Sequence, residues 1–184
     1  MNHLNHIAFI MDGNGRWGQK KGKGRNFGHL KGVETVKKIV KSSIKLNVSI
    51  LTFYVFSSEN WKRPKSEINY LFKLIKSYFV KEIDNIKKQG IKINIIGNIN
   101  RLSRDIKIVL QKTIKLTKKN KKITVNLAIN YGSKNEILHA AKNTKYAAPR
   151  GFNSSTAVSG NMPSNKTKCA INLVFIAPGN ISQA

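Results

Sequence analysis

The stretch I-A-F-I-M-D-G-N-G-R-W, from Ile7 to Trp17, decides the fold of this chain. Its first five residues form a continuous apolar run, which is typical of a short strand buried on both faces. Asp12 then lies at the carboxyl end of the strand, and the glycines after it leave backbone N–H groups open to a ligand. Because ligands of open α/β sheets collect beyond such strand ends, the stretch fits a bound anion with its metal. A plain strand and glycine turn fits it equally well.

The length and composition are those of a single globular domain. The chain has 184 residues, of which 40% are hydrophobic, and this is enough for a sizeable core. The apolar runs are shorter than a membrane span, and we recognise no secretion signal at the start. The single cysteine, Cys169, excludes an internal disulfide and a cysteine-cluster metal site. We therefore expect a cytoplasmic protein.

The charge is strongly positive, with 34 Lys and Arg against 8 Asp and Glu and a net charge of +26. Such an excess is usual in proteins that bind nucleic acid or anionic membranes. Here most of it is lysine spread through every predicted helix, beside many Asn and Ile, which indicates mutational bias. We expect no specific nucleic-acid partner. The scarcer arginines Arg16, Arg25 and Arg63 lie beside the distinctive motifs, and guanidinium groups bind phosphate bidentately.

Apolar periodicity predicts strands that alternate with helices. The predicted strands cover residues 7–11, 49–55, 91–96, 123–129 and a last segment, 171–176. The predicted helices begin near residues 29, 64, 102 and 136. The segment from Gln19 to Arg25 is too rich in glycine and lysine for a stable helix start and is interpreted as a mobile basic loop. The pattern predicts an α/β fold, a mostly parallel sheet flanked by helices.

The composition changes near Asn143. Acidic residues are absent from residue 137 onward, and three of the four prolines lie in this part. Residues 147–168 have no sustained periodicity and are interpreted as loop or disordered sequence. We therefore divide the chain into an incomplete α/β domain, residues 1–142, and a divergent tail, residues 143–184, for which a truncated or frameshifted gene is our hypothesis.

A dinucleotide site has to be considered, because Gly13 to Gly18 matches G-x-G-x-x-G and Glu34 follows at a suitable distance. In a dinucleotide-binding fold the helix begins within the glycine loop. Here helical periodicity resumes only near His29. Asp12 would also repel a pyrophosphate unless a cation lay between them. We reject the dinucleotide and retain a diphosphate bridged by a metal.

A second polar cluster, F-S-S-E-N-W-K-R, follows the next predicted strand. In a parallel sheet it would share an edge with Asp12. Its Ser, Asn and Arg side chains can donate hydrogen bonds to phosphate oxygens, while Trp17, Phe56 and Trp61 offer apolar surface. The predicted ligand has an anionic head and an apolar body. We interpret His29 either as a group that donates to the phosphate or supports one that does, or as a helix cap.

Five motifs together resemble the cis-prenyltransferase family of the undecaprenyl diphosphate synthase type. They are I-M-D-G-N-G-R-W at 10–17, G-H at 28–29, F-S-S-E-N-W-x-R-P at 56–64, I-I-G at 95–97 and N-Y-G at 130–132. The resemblance runs from about Asn5 to about Ala141 and implies that family's fold. It also implies an enzyme that condenses isopentenyl diphosphate with an allylic diphosphate, typically farnesyl diphosphate, using Mg²⁺. The product would be undecaprenyl diphosphate, the lipid carrier of cell-wall synthesis.

The resemblance also assigns roles to residues. Asp12 would hold Mg²⁺ and the allylic diphosphate, and Asn60 would accept or relay the proton lost from isopentenyl diphosphate. Diphosphate binding would fall to Gly13, Asn14, Gly15, Arg16, Arg25 and His29. The reacting substrates would be positioned by Trp17, Ser57, Ser58, Glu59, Trp61 and Arg63. A homodimer and peripheral contact with the inner face of the membrane are further expectations.

The resemblance fails toward the C-terminus. The family's distal arginines, serine and metal-binding glutamate cannot be matched, although Asn172 to Val174 faintly resembles the start of that region. We therefore predict that farnesyl diphosphate binds with Mg²⁺ but that condensation is poor. The alternatives are a non-catalytic prenyltransferase-like subunit and a basic nucleic-acid-binding protein.

Overall fold

The computed structural model describes residues 5–134, 136–138 and 172–175, the last of these as backbone only. The strands are β1 (His6–Ile10), β2 (Ile50–Ser57), β3 (Ile91–Ile96), β4 (Ile123–Tyr131) and β5 (Asn172–Phe175). The helices are α1 (Asn14–Lys20), α2 (Gly24–Lys45), α3 (Lys65–Lys88) and α4 (Arg104–Thr117). Short 3₁₀ turns cover Ser58–Lys62 and Ile99–Arg101.

The strands form one sheet in the order β3-β4-β2-β1-β5, and every pairing is parallel. The predicted α/β architecture is therefore confirmed, including the last strand, which pairs with β1. Residues 133–134 and 136–138 are helical, close to the start of the predicted helix at 136. The predicted boundary at 142–143 and the predicted loop at 147–168 lie outside the described residues.

The core lies between the sheet and α3 and α4. Apolar side chains spaced three and four residues apart on α3 bury one stripe of that helix, as the periodicity predicts. This stripe belongs to one buried apolar cluster with Leu51 and Phe53 of β2 and Ile129 of β4, which are all fully buried. This packing anchors α3 against the sheet, so the turn between β2 and α3 has a fixed position.

The region between β1 and α2 corrects the prediction. Residues 19–25 are not a loop: α1 runs to Lys20, and α2 begins at Gly24 rather than near His29. Gly22, with φ of 68°, makes the tight turn between them. The two helices pack closely through glycines, and this tertiary contact overrides weak local helix propensity. A helix therefore does begin within the glycine loop, so that ground for rejecting a dinucleotide was wrong, while the objection from Asp12 is unaffected.

The exposed helix faces are rich in lysine. α3 is the longest helix, at 24 residues, and it carries Lys87 and Lys88 in its last turn. In the described ranges, no helix is both long and apolar enough to cross a membrane.

Candidate active site

Three strand ends meet at one edge of the sheet. β2 lies between β1 and β4, so Asp12, Ser57 and Tyr131 follow neighbouring parallel strands on the same side. They border a cleft of about 720 Å³. The walls of this cleft include Ile10, Met11, Asp12, Asn14, His29, Val33, Val36, Val55, Phe56, Ser57, Ser58, Glu59, Asn60, Arg63, Leu71, Tyr131, Ser133 and Lys134. The cleft thus combines a polar rim with an apolar wall.

Asp12 is the exposed carboxylate at the rim. Its Oδ1 accepts a hydrogen bond from the backbone N–H of Gly13 at 2.6 Å, and its Oδ2 lies 3.1 Å from Nη2 of Arg16. Both side chains of this pair are more than half exposed. An exposed ion pair contributes at most about 1 kcal/mol, so a ligand can replace it at little cost.

Asn14 lies in the first turn of α1 beside Asp12. It is buried, and its Oδ1 has no hydrogen-bond partner within the described part of the chain. A buried acceptor without a partner costs about 1–3 kcal/mol, so a ligand group or water that satisfies it is favoured. Because Asn14 also lines the cleft, it offers an oxygen or amide group to a ligand bound there.

The turn after β2 is held by side-chain hydrogen bonds. The backbone N–H of Ser57 donates to Oδ1 of Asn60 at 3.0 Å, which orients the amide of Asn60 in the cleft wall. The indole Nε1–H of Trp61 donates to Oδ1 of Asn130 at 2.7 Å, and the guanidinium of Arg101 lies 4.8 Å from the Trp61 ring centroid. These contacts tie the turn to β4, so the polar side chains of 57–63 are presented on a rigid support.

Glu67 is a central residue that sequence reasoning missed. It lies in the first turn of α3 and is only 8% exposed. Arg25 donates to it from Nε at 2.8 Å and Nη2 at 3.0 Å, His29 from Nε2 at 3.0 Å, and Arg63 from Nη1 at 3.3 Å. Glu67 precedes the buried Leu71 by four residues, which places it on the buried stripe of α3. This four-residue spacing was the sequence signal from which the burial of Glu67 could have been predicted.

Burial acts to raise the pKa of Glu67. The hydrogen bonds from Arg25 and His29 and the charges of Arg25 and Arg63 outweigh it, so the pKa lies below its ordinary value of 4.5. In turn, the hydrogen bond to Glu67 raises the pKa of Arg25 against the opposing effect of burial. The carboxylate and its guanidinium partner therefore both stay charged at neutral pH.

We expect this lowered pKa to contribute stability above the unfolded-state pKa of Glu67 and to lose it as pH falls through the folded-state value. Glu67→Gln should lower the free energy of unfolding by about 3 kcal/mol near neutral pH, because the buried ion pair with Arg25 loses its negative partner. Urea titrations of both proteins from about pH 7 to about pH 3 should show this gap narrowing. A stability difference that does not change with pH would contradict the lowered pKa of Glu67.

The structure brings most of the predicted site residues into one cleft. Those on its wall are Asp12, Asn14, His29, Ser57, Ser58, Glu59, Asn60 and Arg63. His29 is buried in the second turn of α2 and does not cap the helix, so that reading was wrong. The apolar surface also differs from expectation: Phe56 is on the cleft wall, while Trp17 stacks on Phe27.

The other predicted residues support the wall from outside it. Gly13 caps α1, Gly15 lies against the Arg25 guanidinium, and Arg16 pairs with Asp12. Arg25 contacts Glu67, and Trp61 contacts Asn130. The roles assigned to these residues stay predictions.

A further wall of the cleft, beyond β4, was not predicted. Tyr131, Ser133 and Lys134 line it. The hydroxyl of Tyr131 donates to Glu136, and this bond, with burial and the nearby carboxylate charge, raises the pKa of Tyr131 to about 12. Tyr131 is thus a hydrogen-bond donor at neutral pH, and Lys134 adds a cation to this wall.

Most of this chain matches the model of one known protein family. A family model described as "Putative undecaprenyl diphosphate synthase" matches residues 10–176. The chain belongs to this undecaprenyl diphosphate synthase family. The resemblance inferred from the five motifs is therefore confirmed.

Similar curated proteins and a similar solved structure agree with this. An isoprenyl transferase of Prochlorococcus marinus is 47% identical over 137 residues, covering 74% of this chain and 50% of the relative. A ditrans,polycis-undecaprenyl-diphosphate synthase of Wigglesworthia glossinidia brevipalpis, (2E,6E)-farnesyl-diphosphate specific, is 42% identical over 153 residues, covering 82% and 59%. The crystal structure of lavandulyl diphosphate synthase from Lavandula x intermedia, in complex with dimethylallyl diphosphate, aligns with a TM-score of 0.73 and 27% identity, covering 76% and 60%.

These synthase-family relatives are longer than the matched region. This chain spans about half the length of the curated relatives it matches. These relatives are named as an isoprenyl transferase and an undecaprenyl-diphosphate synthase, and neither name is that of a non-catalytic subunit or a nucleic-acid-binding protein.

Proposed function

We propose that the cleft binds an allylic diphosphate, with farnesyl diphosphate as the preferred ligand, together with Mg²⁺. We further propose that the chain transfers the allylic group to isopentenyl diphosphate to make a cis-polyprenyl diphosphate. The supporting observation is the meeting of a carboxylate, oxyanion donors and an apolar wall in one cleft at the carboxyl edge of the sheet. An amphiphilic diphosphate needs all three of these features.

The residues present fit Mg²⁺. The ion prefers oxygen ligands and is usually held by one or two carboxylates together with substrate phosphates and water. Asp12 supplies an exposed carboxylate. Asn14, two residues further along the chain, supplies a side-chain oxygen that has no hydrogen-bond partner among the described residues. Among the described residues no cluster of three or more His, Cys, Asp or Glu could hold a metal alone. These residues therefore fit a Mg²⁺ ion that is held by the protein and the substrate phosphates together.

In the proposed reaction the allylic C–O bond breaks, diphosphate leaves, a C–C bond forms to isopentenyl diphosphate, and that substrate loses a proton. Bound Mg²⁺ would supply positive charge to the departing diphosphate. Arg63 would donate hydrogen bonds to diphosphate oxygens, and such preorganised donors stabilise developing charge without reorganising. Val33, Val36 and Leu71 would exclude water from the prenyl chain.

Asn60 would hold the second substrate near the site of proton loss. Its Oδ1 already accepts one hydrogen bond from Ser57, which leaves one oxygen lone pair and the amide N–H groups for the substrate. An amide is too weak a base to keep the proton, so we propose that Asn60 relays it to the departing diphosphate.

The test separates binding from transfer. Titration calorimetry with farnesyl diphosphate should show binding that Mg²⁺ strengthens, and radiolabelled isopentenyl diphosphate should report condensation. Because the distal family residues are unmatched, we expect binding with little long-chain product. Absence of Mg²⁺-dependent binding would overturn the proposed site, whereas ordinary long-chain product would overturn only the expected impairment.

Three further features of the proposal come from family membership. We propose a homodimer, a cytoplasmic location and transient contact with the membrane that receives the lipid product. Sedimentation of the chain alone, and its co-sedimentation with anionic vesicles, would test the first and the third.

A further inference from the structure

Glu67 is the one acidic residue that is buried among those whose burial the structure describes. Three basic side chains converge on it, two from α2 and one from the turn that precedes α3. Arg25 approaches with two nitrogens, Nε at 2.8 Å and Nη2 at 3.0 Å, in the fork geometry that fixes a guanidinium plane. The carboxylate therefore joins two separate parts of the cleft wall.

The contacts of Glu67 leave donors free on Arg63 and fix the ring of His29. Only Nη1 of Arg63 contacts Glu67, so the rest of that guanidinium is available on the cleft wall. A carboxylate can only accept, so Nε2 of His29 carries the proton directed at Glu67, and Nδ1 of the neutral ring is left as an acceptor. Glu67 thus fixes both the orientation and the tautomer of groups that face the ligand.

We propose that Glu67 is a positioning residue that preorganises Arg63 for a diphosphate and fixes His29 beside it, while Arg25 holds the carboxylate of Glu67 from outside the cleft wall. This inference rests on the proposed function. Glu67 acts through its three partners and does not contact the ligand itself. Without it, the two guanidiniums would repel each other and turn toward solvent, and their reordering would reduce affinity.

A purely electrostatic view predicts the opposite result. A carboxylate behind the site weakens the attraction of the site for an anion, so its removal would strengthen binding. Positioning predicts weaker binding after the same change. The sign of the effect therefore decides between the two.

The probe is inorganic pyrophosphate, titrated into the full chain by calorimetry at fixed ionic strength. Glu67→Gln, which is nearly isosteric, should bind it at least about tenfold more weakly, and Glu67→Asp should recover part of the loss. Glu82→Gln is the matched control, because Glu82 also lies on α3 and pairs with Lys37 of α2 at 2.6 Å, but it does not line the cleft. It should leave affinity unchanged. Circular dichroism and thermal melts confirm that each variant is folded.

A double-mutant cycle provides an independent readout. Arg25→Lys cannot reproduce the two-nitrogen grip, so it should weaken pyrophosphate binding in the wild type but have little further effect in Glu67→Gln. Additive losses, or equal or tighter binding by Glu67→Gln, would overturn the positioning role and leave the diphosphate site standing. If the wild-type chain binds neither pyrophosphate nor farnesyl diphosphate, the proposed function and this inference both fail.

Discussion

Asp12→Asn should abolish the Mg²⁺ dependence of farnesyl diphosphate binding and reduce any condensation by about 10³-fold. The substitution keeps the size of the side chain and can still accept from the N–H of Gly13, but it removes the negative charge at the rim of the cleft. An ion held by one protein carboxylate and substrate phosphates loses its only charged protein ligand in that change. Calorimetry with and without Mg²⁺ measures the first effect, and incorporation of labelled isopentenyl diphosphate measures the second.

Asp105→Asn is the matched control for Asp12→Asn. Asp105 is also an exposed aspartate in an ion pair, with Lys76 at 2.7 Å, and it does not line the cleft. It should retain wild-type binding and wild-type Mg²⁺ dependence. If Asp12→Asn keeps the same Mg²⁺ dependence as the wild type, Asp12 has no part in holding the ion.

The strand ends of the site could be predicted because their signal is local. An apolar run that stops at Asp12 or at Ser57 marks the place where a buried strand reaches the edge of the sheet, and helices between the strands predict that the edges coincide. The site residues that follow these strands therefore fell into one cleft as expected. β4 pairs with β2 and so places Tyr131 beside these residues. Which strands pair, and in which register, depends on tertiary contacts and cannot be predicted from the alternation of residues within one strand.

The parts that were missed depend on contacts between distant segments. Glu67 looks like an ordinary polar residue near a helix start, and its buried position follows only from the three basic groups that satisfy its charge. The early start of α2 was missed because glycine has low helix propensity, while the gain from close helix packing is not visible in local sequence. The four-residue spacing of Gly28 and Gly32 was the available signal for that packing.

Gly28 lies at a close contact between α1 and α2. A Cβ atom at this position would lie 1.8 Å from the backbone carbonyl oxygen of Asn14 and 2.7 Å from its carbonyl carbon. Both obstacles are backbone, so the overlap cannot be relieved by a change of rotamer. α1 would have to move away from α2, and it would carry Asn14 and the adjoining Asp12 rim with it.

We therefore expect Gly28→Ala to lower the free energy of unfolding by about 3 kcal/mol, since overpacking outweighs the gain of about 1 kcal/mol in helix propensity. Gly15→Ala is the informative comparison, because its Cβ would meet the flexible guanidinium of Arg25 at 2.9 Å, and that side chain can move. Urea denaturation should show a much smaller loss for Gly15→Ala than for Gly28→Ala. Farnesyl diphosphate binding should weaken in Gly28→Ala even where the protein remains folded, because displacement of α1 shifts one side of the cleft relative to the turn after β2. If the two variants are equally stable, the backbone of Asn14 does not pack against Gly28 as closely as described.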